Sequence, residues 1–307
     1  MKTVVLAYHN MGIAGLDALK KHGYEIAAIF THEDDPGENC WFGSVKEWAK
    51  SHGVTFYTTE QINSPQWVEK IKALEPDILF SFYYRKMLGQ AILDIPRLGA
   101  LNLHGSLLPA YRGRCPVNWV IIKGEHKTGV SLHFMVEKPD AGDLVAQREV
   151  LIDPDDTAQM LYEKLCLAAG QLLDDILPLI KKEEIPRTKQ DLSRGSYYGG
   201  RRPEDGRIDW TRPARVIYNL IRAVTDPYPG AFAITENGNR MIIWRALPVE
   251  KRDMNGQAGD TDSSGEDVLV KTGENAIKLQ EIEIQGRKLR GPEIGDFFRT
   301  GKVTKLL

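Results

Sequence analysis

The sequence has little of what marks several broad classes of protein. It contains only three cysteines, Cys40, Cys115 and Cys166, which are far apart and odd in number. They predict neither a disulfide framework nor a zinc site, and they favour a reducing compartment. No apolar run reaches the ~18 residues that a membrane-spanning helix needs. The chain also opens on a strand-like run without a signal sequence. The simplest class that remains is a soluble cytoplasmic enzyme with no inserted membrane segment.

An excess of charge of one sign is also absent. The 40 lysines and arginines face 42 aspartates and glutamates, which gives a formal net charge of −2. No overall basic field therefore indicates nucleic-acid binding, although a local basic patch stays possible. The turn after the first strand carries Gly12 and Gly15 but not G-x-G-x-x-G, so a dinucleotide fingerprint is absent. The hydrophobic content of 42% is ordinary for a globular protein.

Alternating strand and helix patterns indicate the fold of the longer, first part of the chain. Residues 2–8 are typical of a buried strand and residues 13–22 of an amphipathic helix, and a second strand follows. Later strands at 129–136 and 144–152 are expected to pair as a hairpin at one sheet edge, with Asp140 at its tip. A β-α-β opening predicts a parallel sheet. We therefore expect an α/β fold with a Rossmann-like, doubly wound, mostly parallel sheet.

A charged, glycine-rich stretch separates this part from a second one. Residues 181–206 have the composition of a linker, and we place the domain boundary there, near Gly200. After a predicted helix at 213–224, short strands alternate with turns, which indicates a small antiparallel barrel. The expected organisation is a catalytic domain of residues 1–200 and a small C-terminal β-barrel domain of residues 201–307.

The clearest candidate chemistry lies in residues 100–116, A-L-N-L-H-G-S-L-L-P-A-Y-R-G-R-C-P. Asn102 and His104 alternate with leucines in a strand that breaks at Gly105, so both side chains point to one face. Ligands of open α/β sheets bind beyond the carboxyl ends of strands. An imidazole beside an amide donor can act as an acid/base group and an oxyanion stabiliser. By itself, however, a lone histidine in such a place is more often a surface or packing residue.

A longer pattern carries a family resemblance. The run N-L-H-G-S-L-L-P-A-Y-R-G-R-C-P resembles the signature of the formyltetrahydrofolate-dependent formyltransferases. Three further pieces occur in matching order: F-S-F-Y-Y-R from Phe80, D-A-G-D from Asp140 and D-P-Y-P-G-A-F from Asp226. The segments A-Y-H-N-M-G, T-H-E-D-D-P-G-E and Y-G-G-R-R-P-E-D are most similar to the branch that modifies UDP-4-amino-4-deoxy-L-arabinose. Members of the family carry a small barrel similar to an OB-fold in their C-terminal part.

The resemblance implies catalytic roles for three residues. His104 is the proton donor and acceptor, Asn102 stabilises the transition state, and Asp140 is the carboxylate beside the imidazole. Such a set suits formyl transfer to an amine, because a proton must pass from the attacking nitrogen to the departing one. A carboxylate also favours the charged form of an imidazole and orients it. No metal is expected. Asp143 is the competing carboxylate, better suited to a turn, and His133 is interpreted as structural.

The resemblance further implies 10-formyltetrahydrofolate as the co-substrate. Backbone groups of loops can bond the edge of a pterin while apolar walls hold its ring. The expected contacts are Lys86, Met87, Leu88, Arg114, Val136, Glu137, Lys138, Pro139 and Asp140. His9, in the loop expected after the first strand, is a candidate for lining the acceptor site.

Two acceptors compete. One is a nucleotide-linked amino sugar, above all UDP-4-amino-4-deoxy-L-arabinose in lipid A modification, with another amino-sugar nucleotide as a variant. The other is methionyl-tRNA, whose formyltransferases grip the acceptor stem with a basic insertion after the second strand. The corresponding loop here, Glu33 to Gly43, is acidic, which disfavours phosphate contact. We expect a nucleotide-sugar partner and no nucleic acid, with a homo-oligomer as one alternative to a monomer. Because the resembled domain is commonly fused to a decarboxylase, a freestanding enzyme and an excised domain are both expected possibilities.

Overall fold

Strands and helices alternate through most of the chain, as the sequence predicts. The structure, a computed structural model, describes residues 1–33, 39–250, 254–301 and 303–307. Its strands are β1 (Lys2–Ala7), β2 (Glu25–Thr31), β3 (Phe56–Thr58), β4 (Ile78–Phe82), β5 (Ala100–His104), β6 (Arg112–Gly113), β7 (Lys127–Phe134), β8 (Leu144–Leu151), β9 (Tyr197–Tyr198), β10 (Ala231–Ile234), β11 (Arg240–Val249), β12 (Thr261–Asp262), β13 (Leu269–Lys271), β14 (Ala276–Ile284) and β15 (Arg287–Arg290). Its helices are α1 (His9–Lys21), α2 (Val45–Ser51), α3 (Pro65–Ala73), α4 (Gln90–Leu93), α5 (Pro116–Ile122), α6 (Ala158–Lys181), α7 (Ala214–Val224) and α8 (Pro292–Thr300), with 3-10 turns at Leu192–Arg194 and Pro203–Gly206.

A seven-stranded sheet forms the core of the first of two compact units. This unit contains Met1–Pro116, Lys127–Leu151 and Tyr162–Gly199. The strand order is β3-β2-β1-β4-β5-β7-β8. The first five strands are parallel, and β7 and β8 are antiparallel neighbours at one edge. The predicted mostly parallel sheet is therefore confirmed. The strand order reverses between β1 and β4, a position whose carboxyl edge suits ligand binding in such sheets.

The first helix begins earlier than the sequence pattern predicts. It starts at His9, directly after β1, where the pattern predicts a turn, and its N-cap residue Tyr8 makes no side-chain cap bond. The backbone N–H of Met11 instead donates to the hydroxyl of Tyr162 at 2.9 Å. A donor at the open start of the helix is thus satisfied by a residue 151 positions away. A contact of that range leaves no local signal in the sequence.

The second unit is built on an antiparallel sheet. It contains Val117–His126, Ile152–Leu161 and Gly200–Leu307. Its strands run in the order β10-β11-β14-β13-β12, and β15 also pairs with β14, so a small antiparallel C-terminal domain is confirmed. Asn118 of α5 donates its side-chain N–H to the carbonyl of Ala223 in α7 at 2.7 Å, which ties the first of these segments to the rest of the unit. Within the described ranges no helix has both the length and the apolarity to cross a membrane.

The close packing of α1 on the sheet gives a stability prediction. A Cβ at Gly15 would lie 2.3 Å from the ring of Phe82, which is fully buried. Gly15→Ala should therefore lower the free energy of unfolding by about 1–3 kcal/mol through overpacking. Gly170→Ala in α6 is the matched control, because a Cβ there would meet no described atom within 4 Å apart from its chain neighbours and its own helix backbone. It should stabilise by up to about 1 kcal/mol. Urea unfolding of both variants measures the difference, and equal effects would contradict it.

Candidate active site

Two neighbouring strands place three polar side chains on one face of the sheet. Asn102 and His104 lie two residues apart on β5 and therefore face the same side. On β7, His133 pairs directly opposite Asn102, and residues paired in this way share a face. The Nδ2 atom of Asn102 donates to Nε2 of His133 at 3.1 Å. The amide predicted from the sequence is thus bonded to a histidine that belongs to the next strand.

Asp140 reaches the same face from the loop between β7 and β8. Its Oδ1 atom lies 3.6 Å from Nδ1 of His104 and 3.5 Å from Nε2 of His133. Its Oδ2 atom accepts the backbone N–H of Gly113 at 2.8 Å. The side chain of Asp140 is 14% exposed, so the carboxylate is largely shielded from water. The three residues predicted to converge do so, with His133 between Asn102 and Asp140.

His133 is the site residue that sequence reasoning misses. Its interpretation as structural does not describe its place, because it contacts both Asn102 and Asp140. The register that sets it opposite Asn102 depends on how β5 and β7 pair, which local patterns do not encode.

Hydrogen-bond partners show which ring nitrogens carry protons. Nε2 of His104 lies 2.8 Å from the carbonyl oxygen of Tyr111, and a carbonyl only accepts, so this nitrogen donates. Nδ1, which faces Asp140, is then the basic nitrogen of the neutral His104 ring. In His133 it is Nδ1 that lies 2.8 Å from a carbonyl, that of Phe134. Its Nε2 therefore accepts from Asn102 and holds that amide in one orientation.

The surroundings of Asp140 favour its charged form. Burial alone would raise the pKa of this carboxyl, but the charge of a protonated His104, the nearby imidazole of His133 and the N–H of Gly113 outweigh it. Together they hold the pKa of Asp140 well below its usual range. A carboxylate that stays ionised beside Nδ1 of His104 stabilises the imidazolium that forms when that nitrogen takes a proton.

The loop after β5 supplies backbone partners to both catalytic candidates. Tyr111, whose carbonyl accepts from His104, has a φ of 58°, and Gly113, whose N–H donates to Asp140, has a φ of 96°. A Cβ at Gly113 would lie 2.2 Å from the carbonyl oxygen of Tyr198. Glycine is therefore required here by both conformation and space. The loop is held in a conformation that ordinary side chains avoid, as is common at functional sites.

A cavity of about 350 Å³ lies beside the Asp140 loop, a volume typical of small-molecule sites. Val136, one of the predicted co-substrate contacts, lines it together with Asp143. Its other walls combine apolar and polar side chains, among them Leu93, Ala100, Met135, Gln90 and Arg187. Leu88, a second predicted contact, is buried in the apolar cluster that includes Leu93 and Ala100. Leu88 itself does not line the cavity, so the cavity directly adjoins only the predicted segment that contains Val136.

The other predicted co-substrate contacts do not line this cavity. Lys86 pairs with Glu60 at 2.7 Å, and Met87 is 50% exposed. The side chains of Arg114, Glu137 and Lys138 are exposed, and Pro139 is partly buried. Their contacts with a ligand stay predictions. Among the described side chains, no group of three or more histidines, cysteines, aspartates or glutamates is arranged to hold a metal ion.

His9 is packed among aromatic rings. It stacks on Phe42 with ring centroids 3.6 Å apart and meets Trp41 and Tyr162 edge-on. Burial, and then the charge of Arg85, lowers the pKa of His9 to about 3, so the ring is neutral near pH 7. A role of His9 in acceptor binding stays a prediction. Residues 34–38 of the acidic loop lie outside the described residues, so the structure does not test that loop's role.

Two family models match the chain. The Formyl transferase family matches residues 1–177, and the Formyl transferase C-terminal domain matches residues 201–296. The chain belongs to the formyl transferase family. The first match spans the strands that carry Asn102, His104 and His133 and the loop that carries Asp140. The reaction class implied by the sequence resemblance is therefore confirmed.

Solved structures share the fold of this formyl transferase. An N-formyltransferase from Helicobacter canadensis, solved with folinic acid and dTDP-3-aminofucose, is 19% identical with a TM-score of 0.71 over 91% of this chain and 99% of that one. WlaRD, a sugar 3N-formyl transferase solved with dTDP and 5-N-formyl-THF, is 19% identical with a TM-score of 0.68 over 94% and 98%. A methionyl-tRNA formyltransferase from Clostridium thermocellum is 18% identical with a TM-score of 0.58 over 94% and 100%.

The environment of Asp140 predicts a flat titration near neutral pH. We expect its carboxyl to stay ionised from about pH 8 down to about pH 4. At that lower pH an ordinary aspartate, with a pKa of about 3.9, is already about half protonated. A lowered folded-state pKa means that this group stabilises the fold above its unfolded pKa of about 3.9, and that this contribution is lost as the pH falls through the lower folded value. Carboxyl ¹³C NMR, with Asp140→Asn to assign the signal, measures this. A midpoint inside that range would refute it.

Proposed function

We propose that this formyl transferase moves the formyl group of 10-formyltetrahydrofolate to the amino group of a nucleotide-linked amino sugar. The observation that carries the proposal is the linked set of Asn102, His133, Asp140 and His104, whose successive contacts are 3.1, 3.5 and 3.6 Å long. The Helicobacter canadensis enzyme and WlaRD, solved with folate compounds and thymidine nucleotides, support this pair of substrates. The first candidate acceptor is the 4-amino group of UDP-4-amino-4-deoxy-L-arabinose, which would give the chain a role in lipid A modification.

The cavity beside the Asp140 loop fits a pterin-type co-substrate. Its apolar walls suit the faces of a flat ring, and the polar side chains of Gln90, Asp143 and Arg187 suit a ring edge rich in donors and acceptors. Asp140 directly precedes Ala141, which lines the cavity, so a ligand there would adjoin the loop that carries the carboxylate. Lys86, Met87 and the other segments predicted from the sequence would then hold the remainder of the co-substrate.

The bound co-substrate would supply a formyl group on an amide-like nitrogen. The acceptor nitrogen would attack the formyl carbon, and Nδ1 of His104 would take the proton that this nitrogen loses, while Nε2 stays bonded to the carbonyl of Tyr111. The same Nδ1 would return the proton to the donor nitrogen as the bond between that nitrogen and the formyl carbon breaks. Asp140 stabilises the resulting imidazolium, and the 3.6 Å separation from His104 is of the kind that shortens when substrate binds. Asn102, oriented by His133, donates its second N–H to the oxygen on which negative charge develops. The loss of one such donor typically raises a barrier by roughly 2.7–4 kcal/mol.

Methionyl-tRNA is the second candidate acceptor, since an enzyme of that kind from Clostridium thermocellum has the same fold. The formal net charge of −2 and the acidic composition of Glu33–Gly43 favour the amino sugar, because a tRNA acceptor stem is bound through its phosphates. We also propose that residues 1–200 carry the chemistry and that residues 201–307 form a small domain, which shares its compact unit with Val117–His126 and Ile152–Leu161.

Removal of the proposed proton carrier should abolish most of the activity. His104→Ala should lower kcat/KM by about 100-fold to 10,000-fold, the usual contribution of a positioned acid/base group. His126→Ala, which removes an exposed histidine, is the matched control and should keep parental activity. Steady-state formation of tetrahydrofolate measures both variants, and circular dichroism checks that they are folded. Full activity of a folded His104→Ala enzyme would remove the assigned role.

The acceptor itself is tested by direct competition. The purified chain is supplied with 10-formyltetrahydrofolate and, in separate reactions, UDP-4-amino-4-deoxy-L-arabinose, dTDP-3-aminofucose and methionyl-tRNA. We expect a mass gain of one formyl group on an amino-sugar nucleotide, with the UDP sugar preferred, and none on tRNA. Turnover with methionyl-tRNA alone would reverse the assignment of the acceptor.

A further inference from the structure

A segment that the sequence marks as a linker is bound across the two loops of the active site. We call residues 188–198 the strap. At one end, Thr188 and Leu144 exchange backbone hydrogen bonds of 2.8 and 2.9 Å beside the Asp140 loop. At the other end, β9 pairs in parallel with β6 in the loop after β5, and the N–H of Arg114 donates to the carbonyl of Tyr198 at 2.9 Å. The strap therefore contacts the supports of both Asp140 and His104.

The contact on the Asp140 side is made by Gln190. Its side chain is buried, with the residue 7% exposed, and its Nε2 donates to the carbonyls of Asp140 and Gly142 at 3.0 and 2.6 Å. Asp140 has a φ of 50°, a conformation that needs support from its surroundings. A Cβ at Gly142 would lie 2.0 Å from the carbonyl oxygen of Phe134. The loop backbone is thus held from one side by the glutamine amide and from the other by close packing.

The contact on the His104 side runs through Tyr111. The Oγ atom of Ser196 accepts the backbone N–H of Tyr111 at 2.8 Å, and the carbonyl of Tyr111 accepts Nε2 of His104 at 2.8 Å. The ring of Tyr111 also stacks on Tyr198, with centroids 5.1 Å apart. One short segment therefore sets the backbone on both sides of the gap between His104 and Asp140.

We propose that Gln190 is a positioning residue for formyl transfer. Its amide holds the backbone of Asp140 so that the carboxylate faces both His104 and His133, and the rest of the strap holds His104 at the matching distance. This inference rests on the proposed roles of Asp140 and His104 in the reaction. Gln190 acts through Asp140, since its two donor bonds go to backbone carbonyls of the loop.

A near-isosteric variant tests the role. Gln190→Met removes both donor bonds and keeps most of the volume. The carboxylate then moves away from the imidazoles, so the Asp140 ¹³C titration should shift to higher pH than in the parent. The misplaced carboxylate should also lower kcat by about 10-fold to 100-fold, the scale of a displacement near 1 Å.

Gln147→Met is the matched control, because the Nε2 atom of Gln147 also makes two donor bonds in the same unit, to the Leu108 carbonyl and Ser131 Oγ at 2.9 and 2.8 Å. It should lower thermal stability and leave the Asp140 titration at the parental position. A purely structural Gln190 would behave in the same way, with lower stability and an unmoved titration.

An unmoved Asp140 titration with parental kcat in folded Gln190→Met would overturn the proposal. If the methionine variant does not fold, Gln190→Asn replaces it, since its amide is one methylene too short to hold both carbonyls. It must show the same upward shift, and a parental titration there would also overturn the proposal. The titration uses no substrate, so a chain inactive on every acceptor would refute the proposed function without deciding the role of Gln190.

Discussion

The site depends on a buried carboxylate that needs a partner for each oxygen. A charged group out of water is costly unless it is paired and hydrogen-bonded. One oxygen of Asp140 accepts the N–H of Gly113, and the other lies 3.6 and 3.5 Å from the ring nitrogens of His104 and His133, where it pairs with an imidazole that gains a proton. These partners come from β5, β7 and the loop after β5. The charge of the carboxylate therefore depends both on the pairing of β5 with β7 and on the conformation of the loop after β5.

The same constraint underlies the small number of groups in the proposed mechanism. A carboxylate fixed in its charged form would stabilise a proton on Nδ1 of His104. His133 orients the amide of Asn102, which would stabilise the negative charge on the reacting oxygen. The two histidines have complementary tautomers, because each donates one N–H to a backbone carbonyl. In the proposed mechanism, acid/base chemistry belongs to His104 and charge stabilisation to Asn102, two residues away on β5. The family match places this arrangement in a formyl transferase.

Local patterns in the sequence predict much of this arrangement. The alternation around Asn102 and His104 predicts their shared face, and the turn between two strands predicts the position of Asp140. Patterns of this kind do not contain the register of antiparallel β5 and β7, so the contact of His133 with Asn102 has no sequence signal. The contact of Tyr162 with the start of α1 and the contacts of Gln190 with the Asp140 loop also have no sequence signal. Each of these contacts joins residues that are distant in the chain, and the polar composition of the strap resembles that of a linker.

A structure of the protein with a non-reactive folate analogue that carries its formyl group on N10, together with an amino-sugar nucleotide, is the most direct test of the central claim. We predict the formyl oxygen within hydrogen-bond distance, about 3 Å, of Nδ2 of Asn102, with the acceptor amine beside Nδ1 of His104 and the pterin ring in the cavity lined by Val136. Asp140 should still contact both imidazoles. A formyl group bound well away from both Asn102 and His104, or an Asp140 turned away from them in the complex, would contradict the account.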